Sequence, residues 1–299
     1  MYEDASGQRI NMEKSSITFG SKVYQHTRDV LMQLLQIPNV GGGGKYLGLP
    51  EQFGQKKQKM LQYIKNRVQS KITGWQTRFL STAGNEILIK AVAFAMPVYS
   101  MNVFQLPIEL CSEINSMIAR FWWGTTPENK KISWVSWKKM NTSKKSGGLG
   151  FRDLHQFNQA LLANQAWKII QQPESLVHKV LKARYFRDGH LLSANTGSKP
   201  SYGWNSQRFG ATILRRGVRV SIGNGNSTKL GEDPWLPTNP PQAPVLLPST
   251  DQTLKVADII DANIRHWDMN KISNLIHHDE HHLITKIYLP DQSVNDSLV

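Results

Sequence analysis

Gly44-Lys45-Tyr46-Leu47-Gly48-Leu49-Pro50 divides this chain of 299 residues into two textures. Its glycines permit a tight turn, and Tyr46, Leu47 and Leu49 offer apolar faces for a short hairpin. Pro50 ends the pairing because it has no N–H to donate. Before the stretch the chain is short and reads as alternating strand and helix. After it comes a long, basic, helix-rich run studded with tryptophan.

Toward the N-terminus, residues 6–19 begin in a turn and end in an alternating Ile17/Phe19 strand, with Lys14 and Ser15 just ahead of it. Val30, Leu31, Leu34 and Leu35 recur at helical spacing over residues 24–36, and Pro38 stops them. Strand, helix, the glycine run Gly41 to Gly44 and then a hairpin is the order of the tail end of an α+β domain. Fifty residues are too few to complete one.

Toward the C-terminus, Met60, Leu61, Ile64, Val68 and Ile72 mark one face of a helix whose other face carries Lys56, Lys57, Lys59, Lys65, Arg67 and Lys71, and Gly74 is expected to close it. A second helix is expected from Glu86 to Met96, apolar enough to be buried and broken by Pro97. A third starts at Pro107 and runs through Ile114, Ile118 and Phe121 to Gly124. Residues 56–90 hold 8 basic side chains and one acidic one, so this small bundle should present a positive surface that includes Lys90.

Residues 121–152 interleave rings and cations: Phe121, Trp122, Trp123, Lys130, Lys131, Trp134, Trp137, Lys138, Lys139, Lys144, Lys145 and Arg152. Such a composition suits a single-strand or hybrid-duplex platform, with rings stacking on bases and cations following the backbone. It equally suits tryptophan core anchors beneath a solvated lysine face. Gly147-Gly148-Leu149-Gly150 lacks the preceding strand and following Lys-Ser/Thr of a phosphate-binding P-loop.

Helical spacing resumes at 154–186, broken at Pro173, with Leu154, Phe157, Leu161, Trp167 and Ile170 and then Leu176, Val177, Val180, Leu181 and Tyr185 expected in a core. A helix over 204–217 ends with Arg215 and Arg216, where cations suit its dipole. Val218, Val220 and Ile222, the turn Gly223-Asn224-Gly225-Asn226, and Thr228 and Leu230 predict a β-hairpin capped by Asp233-Pro234-Trp235-Leu236-Pro237. Residues 238–250 read as a proline-rich linker and 251–299 as an acidic helical segment. Within that segment, His277/His281 and His278/His282 have the i, i+4 spacing of zinc ligands. The glutamate of a hydrolytic zinc helix is missing, and a solvated helix surface explains them as well.

Bulk properties narrow the function classes. No apolar run approaches the roughly 20 residues of a membrane span, and Met1 to Asn11 has the character of neither a signal nor a transit peptide. An intracellular setting, nuclear or cytoplasmic, is expected. Cys111 is the single cysteine, which excludes an internal disulfide framework and a multi-thiolate zinc site. The formal charge is +14, concentrated in residues 1–250, which hold 32 basic and 14 acidic side chains; residues 251–299 hold 4 and 8. A field of this sign attracts polyanions. Asp4, Asp29, Asp153 and Asp233 have no spacing that would gather carboxylates around Mg²⁺, and no nucleophile elbow is present.

Ser6-Gly7-Gln8 with Asn11, Lys14, Ser15 and Ile17-Thr18-Phe19 is followed by Lys45-Tyr46-Leu47-Gly48-Leu49-Pro50, Trp75, Leu80-Ser81, Gly84 and Ile89-Lys90-Ala91-Val92. Then come Phe121-Trp122-Trp123-Gly124, Gly147-Gly148-Leu149-Gly150-Phe151-Arg152-Asp153-Leu154, Leu181-Lys182-Ala183-Arg184-Tyr185-Phe186, Pro200-Ser201-Tyr202, Ile222-Gly223-Asn224-Gly225 and Asp233-Pro234-Trp235-Leu236-Pro237. In this order, over residues 6–237, the motifs resemble the region downstream of the active site in reverse transcriptases of plant LINE-type, non-LTR retrotransposons.

The resemblance implies an α+β, predominantly helical chain. Residues 1–50 would be a palm remnant with a primer-grip-like hairpin, 51–125 a helical thumb-like bundle, and 126–237 a basic, aromatic, helical post-thumb region with a β-hairpin. Tyr46, Leu47 and Gly48 would face a primer end. Lys56, Lys57, Lys65, Arg67, Lys71, Lys90, Trp134, Trp137, Lys138, Lys139, Lys144 and Lys145 would meet RNA, DNA or an RNA–DNA hybrid. Lys14 would be the palm lysine near the departing pyrophosphate, a role that needs a metal-bound nucleotide; an exposed strand-edge charge is the plainer reading. The family's Tyr/Phe-Ala-Asp-Asp motif and its later Cys/His zinc segment are not found in this sequence, and Gly231 stands where tryptophan is common, which should loosen the hairpin. The isolated chain is therefore expected to be catalytically inactive and to need no cofactor of its own, although the intact parent enzyme uses Mg²⁺. Template–primer binding, recruitment as a non-enzymatic nucleic-acid binder, or an inert product are the functions left open.

Overall fold

The computed structural model describes residues 7, 9, 11–20, 22–41, 45–46, 49–50, 57–76, 80–126, 129–187, 191–192, 194–197, 199–248, 250–261, 264–290 and 294–299, with side chains described for all of these but 45–46, 50, 57–60 and 76. The fold is α+β and predominantly helical, its strands short and paired two by two. The chain divides into two compact units. One comprises Met1–Met101 and Leu106–Gln156, the other Asn102–Gln105 and Phe157–Val299.

The first unit opens with β1 (Ser16–Ile17), α1 (Gln25–Leu35) and β2 (Asn39–Val40), the two strands running parallel with Ile17 opposite Val40. Gln36 ends α1 in a left-handed conformation, ahead of Pro38. None of the residues of α1 is buried, so its apolar spacing makes a helix without making a core. The hairpin at the opening stretch is present: β3 (Lys45–Tyr46) pairs antiparallel with β4 (Leu49–Pro50), and Pro50 is its last paired residue.

α2 (Lys57–Gln76) buries Leu61, Ile64, Val68, Ile72 and Trp75, a stripe at intervals of three and four. Each such side chain contributes roughly 1.5–3 kcal/mol relative to exposure. Gly74 does not end this helix; Trp75, one residue further, packs on Phe121 with ring centroids 5.6 Å apart and carries the helix past it. Ser81 caps α3 (Thr82–Leu88) by accepting from the Gly84 N–H at 3.2 Å. A π-helical turn, Ile89–Ala93, follows, with Phe94 N–H donating to Ile89 C=O at 3.0 Å. The widened turn brings Ile89, Ala93 and Phe94 inward, while Ile87, expected in the core, is exposed.

α4 (Val98–Met101) leads to α5 (Ile108–Trp122), which buries Leu110, Cys111, Ile114, Met117, Ile118 and Phe121. Beyond it, α6 (Trp137–Asn141) is capped by Ser136. The glycine stretch then folds back on α6: Leu149 N–H donates to Met140 C=O at 3.0 Å and Gly150 N–H to Thr142 C=O at 2.8 Å. A Cβ at Gly148 would lie 2.2 Å from Thr142 O, so the glycine permits this close approach. The turn delivers Phe151 into the core among Phe94, Trp122 and Trp137, with centroids 6.2, 5.3 and 5.2 Å away.

The division between units falls inside α7 (Leu154–Gln171). In the second unit, α8 (Leu176–Tyr185) and α9 (Tyr202–Gly217) pack with α7 around Trp204. Tyr185 stacks on Trp204 at 4.5 Å and Phe186 at 5.9 Å. Gly210 lets α9 meet α7, since a Cβ there would lie 2.3 Å from Leu162 C. Leu176, Val177 and Val180, expected in the core, are exposed; the inward face of α8 runs through His178, Leu181 and Tyr185 instead.

The second core of this unit gathers Val220, Ile222, Leu230, Trp235, Leu236, Val256, Ile259, Ile272, Ile276 and Ile284. The expected hairpin over 218–230 does not form as read. β5 (Val220–Ser221) pairs with β8 (Ser297–Leu298), while Lys229 bridges to Lys255. The turn residues serve another purpose, because the Asp296 carboxylate accepts from the N–H groups of Gly223, Gly225 and Ser227 and from the hydroxyls of Ser227 and Thr228 at 2.7–3.1 Å. Burial pushes the Asp296 pKa up, yet these hydrogen bonds outweigh it and hold the group below its ordinary 3.8.

Residues 238–250 differ from the expected linker: Leu236 bridges to Gln242 and Leu246 to Ile276, and Val245 N–H donates to Glu280 at 2.7 Å. Leu246 also fills the space beside Gly231, where a Cβ would meet its Cδ1 at 2.5 Å, so the missing tryptophan leaves no gap. The remaining elements are the antiparallel pair β6 (Ile260–Asp261) and β7 (His266–Trp267), then α10 (Met269–Leu275) and α11 (His281–Ile284). The acidic segment 251–299 thus shares a core with residues 220–236. Among the described residues, no helix is long and apolar enough to cross a membrane.

Candidate nucleic-acid interface

The predicted contact residues fall into distinct environments. Lys14 lies in the turn before β1, its N–H donating to Asn11 Oδ1 at 3.0 Å and its side chain exposed. It is a surface charge beside a two-residue strand. Tyr46 sits in β3 and Lys57 opens α2; their side chains, together with Leu47, Gly48 and Lys56, lie outside the described residues. On α2, Lys65 pairs with Glu113 at 2.7 Å, whereas Arg67 and Lys71, one turn apart, are exposed.

Three cations of the sequence prediction have partners within the chain. Glu86 Oε1 receives Lys90 Nζ at 2.7 Å and Lys144 Nζ at 3.0 Å, and Lys90 also donates to Leu149 C=O at 2.6 Å. The Lys90 bond, and then that of Lys144, holds the Glu86 carboxyl below its usual range. Lys90 lies 5.7 Å from the Phe151 ring centroid as well, so it ties the helix to the glycine turn rather than offering a free charge. Lys139 donates to Ser146 C=O at 2.8 Å. Helical spacing alone does not reveal these roles, because Leu149 and Ser146 reach them only through the folded turn.

The two tryptophans of the basic stretch separate just as clearly. Trp137 is half-buried against Phe151, its Nε1 enclosed without a hydrogen-bond partner among the described residues. This is a core anchor. Trp134 is 79% exposed, beside exposed Ile132 and Val135. Lys130, Lys131, Lys138 and Lys145 are exposed too, and their side chains have no hydrogen-bond or ion-pair partner among the described residues. Lys130, Lys131 and Ile132, part of the basic run but not singled out from it, therefore join Trp134, Lys138 and Lys145 on the surface.

No alternative chemistry assembles among the described residues. Asp29 accepts from Gln25 at 2.9 Å, Asp153 from the Gln156 N–H at 3.0 Å, and Asp233 from the Lys229 N–H at 2.7 Å, each a local bond. They do not form the carboxylate cluster that Mg²⁺-dependent phosphoryl transfer requires. Burial, with the charges of Asp153 and Glu109, pushes the Cys111 thiol up to about 12, so it stays protonated and unreactive. The i, i+4 histidine pairs that the spacing offered do not form. His281 bonds to Ile276 C=O and His282 to Asp279 C=O, while His277 and His278 each face one oxygen of Asp279, at 3.3 and 2.9 Å. That exposed trio, its ligand atoms within 4.8 Å of one another, is satisfied within itself.

No family model matches the chain. Over 152 residues, half of its length, it is 43% identical to the "Uncharacterized mitochondrial protein AtMg00310" of Arabidopsis thaliana, covering 99% of that protein. The chain belongs to this family. The chain shares sequence with a larger protein as well. The chain is 35% identical over 182 residues, 59% of its length, to the Arabidopsis "Putative ribonuclease H protein At1g65750", of which it spans 29%.

Proposed function

We propose that the chain is the end of the palm, the thumb and the post-thumb part of a plant retroelement reverse transcriptase, and that its work is to hold nucleic acid rather than to polymerise it. One observation carries this reading: four exposed lysines without partners among the described residues share a short stretch with an exposed tryptophan. Basic side chains left unmatched by carboxylates gain most from phosphates, where displaced counterions drive association. The motif order over residues 6–237, the hairpin at 45–50, and a relative whose name carries ribonuclease H all support the same assignment. RNA, DNA or their hybrid are the partners, and binding itself needs no metal.

The test is a pair of assays on the purified full chain. Titration of labelled RNA, DNA and hybrid in EDTA is expected to show binding that weakens steeply with salt. Primer extension with Mg²⁺ and nucleotides is expected to show none. Template-dependent extension would overturn the non-catalytic reading, and absence of binding at low salt would favour an inert product.

A further inference from the structure

We propose that Trp134 is a stacking platform for an unpaired base, so that the surface around it selects single-stranded polynucleotide over duplex. This rests on the nucleic-acid reading above and narrows it. A large ring costs free energy when left in water, and Trp122, Phe151 and Trp137 in the same region are packed together accordingly. Trp134, at 79% exposure, is not.

Its position is held from both sides. On the N-terminal side, Thr126 N–H donates to Asn129 C=O at 3.0 Å and Lys131 N–H to Thr125 Oγ1 at 3.4 Å. On the C-terminal side, Ser136 Oγ accepts from the Lys139 N–H at 3.3 Å and starts α6. Between these anchors lie only Ile132 to Val135, so the ring is displayed on a short, tethered segment.

The surroundings choose the ligand. Lys130, Lys131 and Lys138 lie within four residues of Trp134, no more than about 14 Å of backbone even if fully extended, and the described surface from 129 to 152 has no acidic side chain. An apolar protein partner would have to desolvate these ammonium groups without matching them. A strand of nucleotides supplies a flat π-face for the indole and phosphates for the lysines together. In a duplex both faces of an internal base are covered by its neighbours, so the indole gains only with unpaired bases.

The experiment compares the full-length chain with Trp134→Ala, Trp134→Phe and a Lys131→Ala/Lys138→Ala double variant. Its probes are a labelled 12-nucleotide single-stranded RNA and the blunt duplex it forms with its complement. Trp134→Ala is expected to lose about tenfold in affinity for the single strand, the range of one base–aromatic stack. Its loss on the duplex should be under twofold, and Trp134→Phe should keep most of the single-strand affinity. The lysine variant should weaken both probes. If Trp134→Ala binds the single strand like wild type while the lysine variant does not, the stacking role is overturned and the nucleic-acid reading stands. If Trp134→Ala weakens both probes equally, the strand preference is overturned. If wild type binds neither probe, both readings fall together. Binding of wild type, abolished by Trp134→Ala, to an acidic protein but not to RNA would likewise overturn the proposal in favour of a protein partner.

Discussion

In the second unit a single carboxylate, Asp296, gathers five hydrogen-bond donors from one loop, whereas in the first unit Lys130, Lys131, Lys138 and Lys145 are left to solvent in the same stretch as an exposed indole. Both regions are rich in polar groups within short loops. They differ in where the complement comes from: the Asp296 loop finds it within the chain, 68–73 residues away, and these four lysines find none among the described residues. A polar group satisfied internally stabilises the fold, and a charge left unmatched at a surface is available to a ligand. Glu86 shows the two behaviours side by side, since it pairs with Lys90 and Lys144 while Lys130, Lys131, Lys138 and Lys145 are left to solvent.

The contrast can be broken first at the core beneath the basic surface. Phe151→Ala removes the ring that joins Phe94, Trp122 and Trp137, and should cost about 3–5 kcal/mol in urea unfolding. Loss of nucleic-acid binding should follow only where the protein is unfolded. Asp296→Ala comes next. It orphans several donors of a partly buried loop and should cost about 2–3 kcal/mol, with no effect on RNA affinity.

The pH dependence of that contribution has a definite sign. The folded pKa of Asp296 is held below 3.8, so its stabilisation is fully present above that value and is lost as pH falls through the lower folded value. Acid melts of wild type and Asp296→Asn should therefore start to converge as pH falls below about 4. An unchanged gap would show that the carboxylate charge contributes nothing.

The smallest expected effect sharpens the comparison most. Glu86→Gln should change stability by under about 1 kcal/mol, since the network is partly solvated. It should also raise RNA affinity about twofold by freeing Lys144 toward phosphate. A fall in affinity would mean that Lys90 and Lys144 already face the ligand and that the Glu86 pairing does not hold them back.

Much of the helical framework was legible in the sequence because its determinants are local. The apolar stripe of Leu61, Ile64, Val68 and Ile72 and the stop before Pro38 depend on neighbours within a few residues. Where the partner is distant, the reading failed. Val220 and Ser221 look ready to pair across Gly223-Asn224-Gly225-Asn226, but the pairing strand is Ser297–Leu298, and the turn is shaped by Asp296. The prolines of 238–250 suggest a linker, yet a short bridge to Ile276 and a bond to Glu280 fix it. Within the candidate interface, composition picked out the basic aromatic run but could not sort it. Trp134 and Trp137 are three residues apart and identical in kind; only the position of Phe151 decides that one is anchored and the other displayed.

The central claim is that the unmatched lysines around Trp134 exist to meet phosphates. Its most direct test is the salt dependence of single-stranded RNA binding in EDTA, compared between wild type and the variant with Lys130, Lys131, Lys138 and Lys145 all changed to alanine. Each phosphate neutralised on a single strand contributes about 0.7 to the slope of log affinity against log salt, so the four-lysine variant should be shallower by about 3. Equal slopes for the two proteins, or no binding by wild type at low salt, would contradict the account.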